Sequence, residues 1–535
     1  MKRLPRSALP RRLALTLTLA AAAALPVQAP WAQVRLPSLG ESANEDFTVS
    51  IERRLGEQIM RDIRRDPDYL DDPPLLEYLQ SIWRPLVAEA RDRGDITPDT
   101  DQQLAWEAFL VRDRSVNAFA LPGGYVGVHL GLIAMTTTSD ELASVLAHEL
   151  SHVTQRHIAR SIASSQRQSL VSMAALILGV LAASRSNSGD VAQAAIVGSQ
   201  AAAAQGQLNF SRDMEREADR VGYGVLVGAG FASGGMASMF EKLDAANRMD
   251  NNAFPYLRSH PLTTERIAEA RARTMQAGGQ PMSQSLLHPL MQGRARVLMD
   301  PSVQSLRRQQ QPVTGPQALR DRLGLLYAAA LASSILREPT VAEARLDEAL
   351  RLVAAASPAD PQAEQALRLL KGQLLVDRGE GQRAAQWLDT MPPQARQRAW
   401  LLLRAQASLG MHREQVPDAA ADVRRSMEAL QTWLAEHRDD AAAWDLLAQC
   451  AEAAGLKLRA LRARAESHAA LGDLSGAIDR LRAGQILARN GGATDFIEAS
   501  VIDARLRDLV GQRRQLAADQ RGGKPPRDEG ETRLH

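Results

Sequence analysis

The pentapeptide His148-Glu149-Leu150-Ser151-His152 has the residue types of a metal-activated hydrolase. On a helix, positions four apart differ by about 40° round the axis, so His148 and His152 project from one face. Two imidazoles on adjacent turns can share a Zn²⁺ at about 2.1 Å each. Glu149, beside them, can take a proton from an attacking water and pass it to a leaving amine. The preceding run Glu141–Ala147 reads as a helical, half-buried lead-in, which a rigid metal site needs. His157 lies nine residues past His148, roughly 180° round a continued helix, and is expected to face away. A third ligand must come from elsewhere in the chain.

Glu215-Arg216-Glu217-Ala218-Asp219 offers one. The stretch reads as helix with Ser211 as its cap, so Glu215 and Asp219 share a face while Glu217 points to the other side. One carboxylate can ligate the metal while its partner hydrogen-bonds a ligating imidazole, and the spacing allows either to be the ligand. Asn117–Val126, with Pro122-Gly123-Gly124 inside it, reads as a strand followed by a turn. An extended peptide could add to such a strand by backbone hydrogen bonds; an ordinary core hairpin is the other reading. His129, on the next strand pattern, reads as structural.

Taken together, His148–His152, the later Ser211–Asp219 (SRDMEREAD) and Ser259–Ile267 (SHPLTTERI) resemble the gluzincin metallopeptidases related to the CAAX prenyl protease and HtpX. Within that family the likeness is to its periplasmic, β-barrel assembly-enhancing branch, which joins such a domain to tetratricopeptide repeats. The resemblance is strongest from about 105 to 270 and weaker in the repeats. It implies one Zn²⁺ held by His148, His152 and Glu215, with Glu149 as general base and Asp219 behind a ligand. It also gives roles to His260 and Arg266, six residues apart, which in relatives sit over the metal and can stabilise the oxyanion. In the β-barrel assembly-enhancing branch the matching histidine can instead take the fourth zinc position and shut the enzyme, so both roles stay open for His260.

Elements must position these groups. At 535 residues the chain is too long for one ordinary core. Residues 1–32 have a basic start, an apolar run from Leu13 to Leu25 and small residues near Ala32, which is the layout of a cleaved secretory signal peptide. Its removal takes five basic side chains and no acidic ones, and the formal charge from +2 to −3, leaving no electrostatic reason to expect nucleic acid. The expected order is a mostly helical α+β zincin-type domain with a small sheet at 33–275, a Gly/Gln/Pro/Ser-rich linker at 276–315, all-α tetratricopeptide-like repeats at 316–515 and a disordered tail at 516–535. The repeat signals are Asp377–Leu388, Trp400–Gly410, Trp444–Gly455 and Leu471–Leu474, with Gly410 and Gly455 read as turns. Residues 170–183 are apolar all round but short of a membrane span; a buried helix is expected, with peripheral membrane contact or a lid as alternatives, and residues 160–205 are a candidate gate. Cys450, the only cysteine, sits in a helical apolar pattern and reads as a buried, inert thiol.

By resemblance, the substrates are unfolded or stalled outer-membrane β-barrel proteins, and the barrel-assembly machinery is the partner of the repeats. The rival from another class is a non-proteolytic chaperone or assembly scaffold with a structural zinc. Glu149 argues against it, since a structural site needs no base. A membrane-embedded prenyl-type protease is opposed by the lack of a long apolar span after the leader.

Overall fold

The computed structural model describes residues 48–164, 211–249, 255–311, 315, 317–490 and 496–520. The expected leader, the apolar segment 170–183, most of the candidate gate at 160–205 and residues 521–535 lie outside the described residues. No helix among the described residues is long and apolar enough to cross a membrane.

The N-terminal part is mostly helical around a small sheet, as expected. Helix α1 (Val49–Ile63) and strand β1 (Tyr69–Leu70) precede α2 (Pro73–Asp92). Asp72 caps α2 by accepting from the Leu75 N–H at 3.1 Å, and Pro73 and Pro74 fill the first turn, where the helix supplies no acceptor for their missing N–H. After α3 (Pro98–Gln103) come β2 (Glu107–Val111), β3 (Ala118–Leu121) and β4 (Tyr125–His129). The sheet order is β1-β2-β4-β3, with β2 and β4 parallel and β3 antiparallel to β4 at an edge. The Pro122-Gly123-Gly124 turn joins β3 to β4, and His129 is buried with Nδ1 2.9 Å from Ser115 Oγ.

Helices α4 (Leu130–Met135), α5 (Ser139–Thr154), α6 (His157–Ser164), α7 (Arg212–Gly228), α8 (Gly234–Met249), α9 (Pro255–Ser259) and α10 (Thr264–Gln276) follow. Helix α5 is buried from Asp140 to Val153, packed against α2, α7, α8 and β3. Its contact with α7 is backbone-close: a Cβ on Gly222 would stand 2.9 Å from the Ala147 carbonyl oxygen. Glycine at 222 therefore lets two metal-site helices approach within reach of short side chains.

The 276–315 segment is not a linker. It holds α11 (Leu287–Leu298) and α12 (Val303–Gln309), and α11 is buried against α4 and α13 (Leu319–Ile335). The residues that read as loop composition serve packing instead. A Cβ at Gly293 would meet Gly324 O at 2.4 Å, and Pro289 occupies the first turn of α11, where proline is tolerated. One buried apolar cluster accordingly runs from Leu70 through α11 and α13 to Leu374.

Beyond it come α14 (Pro339–Ala354), α15 (Pro361–Asp377), α16 (Gly381–Asp389), α17 (Arg398–Arg413), α18 (Ala419–Glu436), α19 (Ala441–Ala453), α20 (Lys457–Ala470), α21 (Leu474–Asn490) and α22 (Phe496–Gln520). Each packs on its successor, and α13–α15, α15–α17 and α17–α19 also touch. Gly410, read as a turn, lies inside α17 against Gly381, and α22 takes the first residues of the expected tail. Cys450 is buried, and burial pushes its thiol up to about 12. The array is tied back to α2. Arg398 bridges Asp71 and Asp440 with contacts of 2.7–2.8 Å, and buried Arg294 grips Asp72 with two contacts of 2.7 Å.

Candidate metal centre

Helix α5 presents His148 and His152 from one face, as the four-residue spacing requires, and α7 brings Glu215 to them. The two Nε2 atoms stand 3.0 Å apart, with Glu215 Oε2 3.5 Å from His148 Nε2 and Glu215 Oε1 3.4 Å from His152 Nε2. His260, between α9 and α10, adds Nδ1 at 3.3 Å from His148 Nε2 and 3.0 Å from Glu215 Oε1. Donors about 2.05 Å from a tetrahedral Zn²⁺ stand about 3.3 Å from one another. The four ligand atoms all lie within 4.8 Å of each other, and all four residues are buried. Three imidazole nitrogens and one carboxylate oxygen, converging in a buried cluster, are the donor set and size that zinc takes.

Glu149 is fully buried beside this cluster, and its Oε2 accepts a hydrogen bond from the Ala120 N–H at 3.1 Å. The reason lies in the sheet. Asn117 is bonded to His129 across β3 and β4, so in the alternation of an antiparallel ladder the N–H of Ala120 points off the open edge. Glu149 Oε1 is buried, accepts no hydrogen bond among the described residues, and lies 3.5 Å from His260 Nε2. Burial raises the Glu149 carboxyl above its ordinary value, the direction a general base needs.

Asp219 lies outside the cluster of four donors. It faces His148 Nδ1 at 3.0 Å and takes two contacts from Arg266, at 2.6 and 2.8 Å. Burial alone would raise the Asp219 carboxyl, but Arg266 and His148 hold it at about 2. Arg266 also reaches Glu215 Oε2 and the Pro261 carbonyl, each at 2.8 Å. Its guanidinium thus contacts both Glu215, one of the clustered donors, and Asp219, which faces His148. Glu215 is held ionised: burial opposes this, and His260, His148 and His152 overcome it.

Three residues that the sequence reading did not place at this site lie against it. Tyr256 on α9 stacks on His260 with ring centroids 4.7 Å apart. His157 does not face away: it is buried, with Nδ1 2.9 Å from His152 Nδ1. Glu217, expected on the far side of α7, takes His157 Nε2 at 3.0 Å and Arg160 Nη1 at 2.8 Å. His157 does not continue the periodicity of α5, because α5 stops at Thr154 and Arg156 adopts φ 51°, which turns the chain before α6. Nothing in the residue types at 155–157 signals that turn.

The sequence matches Peptidase family M48 over residues 78–274. A Vibrio cholerae protein is 39% identical over 256 residues, covering 48% of this chain and 51% of that one. Beta-barrel assembly-enhancing proteases are 29% identical over 89% of this chain in Yersinia pestis, covering 92% of that protein, and 28% over 89% in Escherichia coli, covering 91%. The matched segment contains His148, Glu149, His152, Glu215, Asp219, His260 and Arg266. Residues 78–274 thus match peptidase family M48, and that match, the relatives and the buried His148, His152, Glu215 and His260 cluster identify a zinc metalloendopeptidase.

Proposed function

We propose that this chain is a periplasmic zinc endopeptidase that degrades misfolded or stalled outer-membrane β-barrel proteins, and that it rests in a self-inhibited state. The proposed ligands are His148, His152 and Glu215, with His260 as the fourth donor of the resting state. The observation that carries this reading is the convergence of those four donors beside a buried Glu149 tied to an open sheet edge. When bound, zinc supplies a Lewis acid that acidifies water and polarises a scissile carbonyl. The chain's own residues do the rest. Glu149 takes the proton of the attacking water and delivers it to the leaving amine. The β3 edge beside it receives an extended substrate by backbone pairing, which gives affinity with little side-chain selection. His260 at the fourth position excludes water and must swing aside before turnover. Arg266 holds Asp219 and Glu215 in place, and Asp219 orients His148.

The cell compartment and substrate class rest on the leader-like residues 1–32 and on the names of the Yersinia and Escherichia relatives. Helices α13–α22, each packed on the next, support tetratricopeptide-like repeats that dock substrate or the barrel-assembly machinery. A second reading, a chaperone or scaffold with a structural zinc, is favoured by one observation, the fourth protein donor His260. The test is hydrolysis of an unfolded outer-membrane protein by wild type, Glu149→Gln and His260→Ala, with zinc quantified in each. Cleavage that vanishes in Glu149→Gln with zinc retained, and rises in His260→Ala, supports the peptidase. Three inert proteins with full zinc, even beside the assembly machinery, leave the scaffold.

A further inference from the structure

The two histidine ligands are backed differently. His148 turns its Nδ1 to a carboxylate, Asp219, at 3.0 Å. His152 turns its Nδ1 to another imidazole, that of His157, at 2.9 Å. On a continuous helix a residue five positions on lies about 140° away and could not reach back. The contact exists because α5 ends at Thr154 and Arg156 adopts φ 51°, so that α6 begins at His157 in a new direction. A left-handed conformation at a non-glycine residue costs about 1 kcal/mol or more and persists only where its surroundings hold it. Here buried Glu52 on α1 holds it, with Oε2 3.2 Å from Arg156 Nε.

The hydrogen-bond chain has a single consistent set of protons. His152 Nε2 faces the other donors, 3.0 Å from His148 Nε2 and 3.4 Å from Glu215 Oε1, so as a ligand it offers a lone pair there and carries its proton on Nδ1. That proton is donated to His157 Nδ1, which places the proton of His157 on Nε2, where Glu217 Oε2 accepts it at 3.0 Å. Arg160, one turn along α6, donates to the same Glu217 oxygen at 2.8 Å. The two rings meet edge to face, with centroids 4.9 Å apart and planes at 75°, and His157 has no exposed surface.

We propose that His157, held by Glu217 and Arg160, is a positioning residue for the zinc centre, fixing the tautomer and ring orientation of His152 without touching metal or substrate. The inference rests on the metallopeptidase reading and adds a support that neither the motif nor the family match assigns. Removing a partner behind a ligating histidine weakens metal affinity by about 10–100-fold.

The test is zinc affinity of the purified full chain, by competition with a chromophoric chelator, alongside the melting temperature of the metal-free protein. His157→Leu, which removes the Nδ1 acceptor that His157 offers His152, is expected to bind zinc about 10–100-fold more weakly. His157→Asn, whose Oδ1 can stand in for Nδ1, is expected to recover most of that loss. A purely structural residue would lower the metal-free melting temperature equally in both variants and leave their affinities alike, and that result overturns the proposal. So does a His157→Leu affinity within about twofold of wild type, well short of the loss a true support would cause. If His157→Leu does not fold, Glu217→Leu keeps the core ring and removes only its anchor. A loss of about threefold or more is then expected, and an unchanged affinity overturns the proposal. Wild type that binds no zinc would instead sink the metallopeptidase reading itself.

Discussion

Arg266 closes on Asp219 like a fork, Nε to Oδ2 at 2.6 Å and Nη2 to Oδ1 at 2.8 Å, while its third nitrogen reaches Glu215 Oε2 at 2.8 Å. One guanidinium thus sets both a proposed ligand and the carboxylate behind the other side of the site. A lysine keeps the charge but cannot make the planar two-point contact. Arg266→Lys is expected to weaken zinc binding and to lower kcat/KM, each by about tenfold or more. Metal competition and peptide hydrolysis measure the two, and wild-type values in both would mean the fork is dispensable.

Gly222 provides a sharper test of helix spacing. Glycine to alanine inside a helix normally gains about 0.5–1 kcal/mol. At 222 the new methyl would press on the Ala147 carbonyl at 2.9 Å, so the sign should reverse. Gly222→Ala is expected to lose about 1–3 kcal/mol by denaturant unfolding and to hold zinc less tightly, because α7 carries Glu215. A stabilised variant would show that α5 and α7 have slack between them.

Glu77 predicts a pH dependence at the junction of α2 with α17. Its carboxylate accepts the Ala399 N–H at 2.6 Å, yet burial outweighs that bond and Arg398, and raises the group to about 7. A native value above the unfolded one means the folded chain holds the proton more tightly. Stability from this group is therefore full below about pH 4.5 and lost as pH climbs through about 7. Glu77→Gln should match wild type near pH 4.5 and exceed it by about 3 kcal/mol at pH 8. Parallel melts at the two pH values decide this, and an equal gap at both would remove Glu77 as the cause.

Arg398 ties the array to α2 through Asp71, with Asp440 on its other side. Truncating one partner of a largely buried ion pair leaves the others uncompensated and costs about 3 kcal/mol. Arg398→Ala is expected to lower stability by about that amount and to make the start of α17 cleavable in limited proteolysis. An unchanged cleavage pattern would show that apolar packing alone holds the junction.

Much of the site was legible in advance because helical periodicity is a strong constraint. The four-residue spacings of His148 with His152 and of Glu215 with Asp219 require shared faces, and both pairs share them. That spacing leaves the ligand open; in the structure Glu215 lies with the imidazole donors, and Asp219 lies against His148 Nδ1. His157 was misjudged because periodicity holds only while the helix lasts, and a left-handed arginine has no residue-type signature. The 276–315 stretch was misjudged for a related reason. Gly293 and Pro289 look like breaks, but here the first makes a close backbone contact with Gly324 of α13 and the second sits in a first turn. Composition alone does not tell a flexible glycine from a tightly packed one.

The buried cluster that runs unbroken from Leu70 to Leu374 has a consequence for how the molecule can be divided. A fragment cut at 275 would leave bare the surface that α11 and α13 cover, including the floor of α4 and one flank of α2. Such a piece should be sticky and short-lived even though it keeps every proposed zinc donor and the base. The first helices of the array are therefore wall rather than appendage. Any exchange of arms between relatives would have to splice beyond Leu374 to keep the enzyme intact.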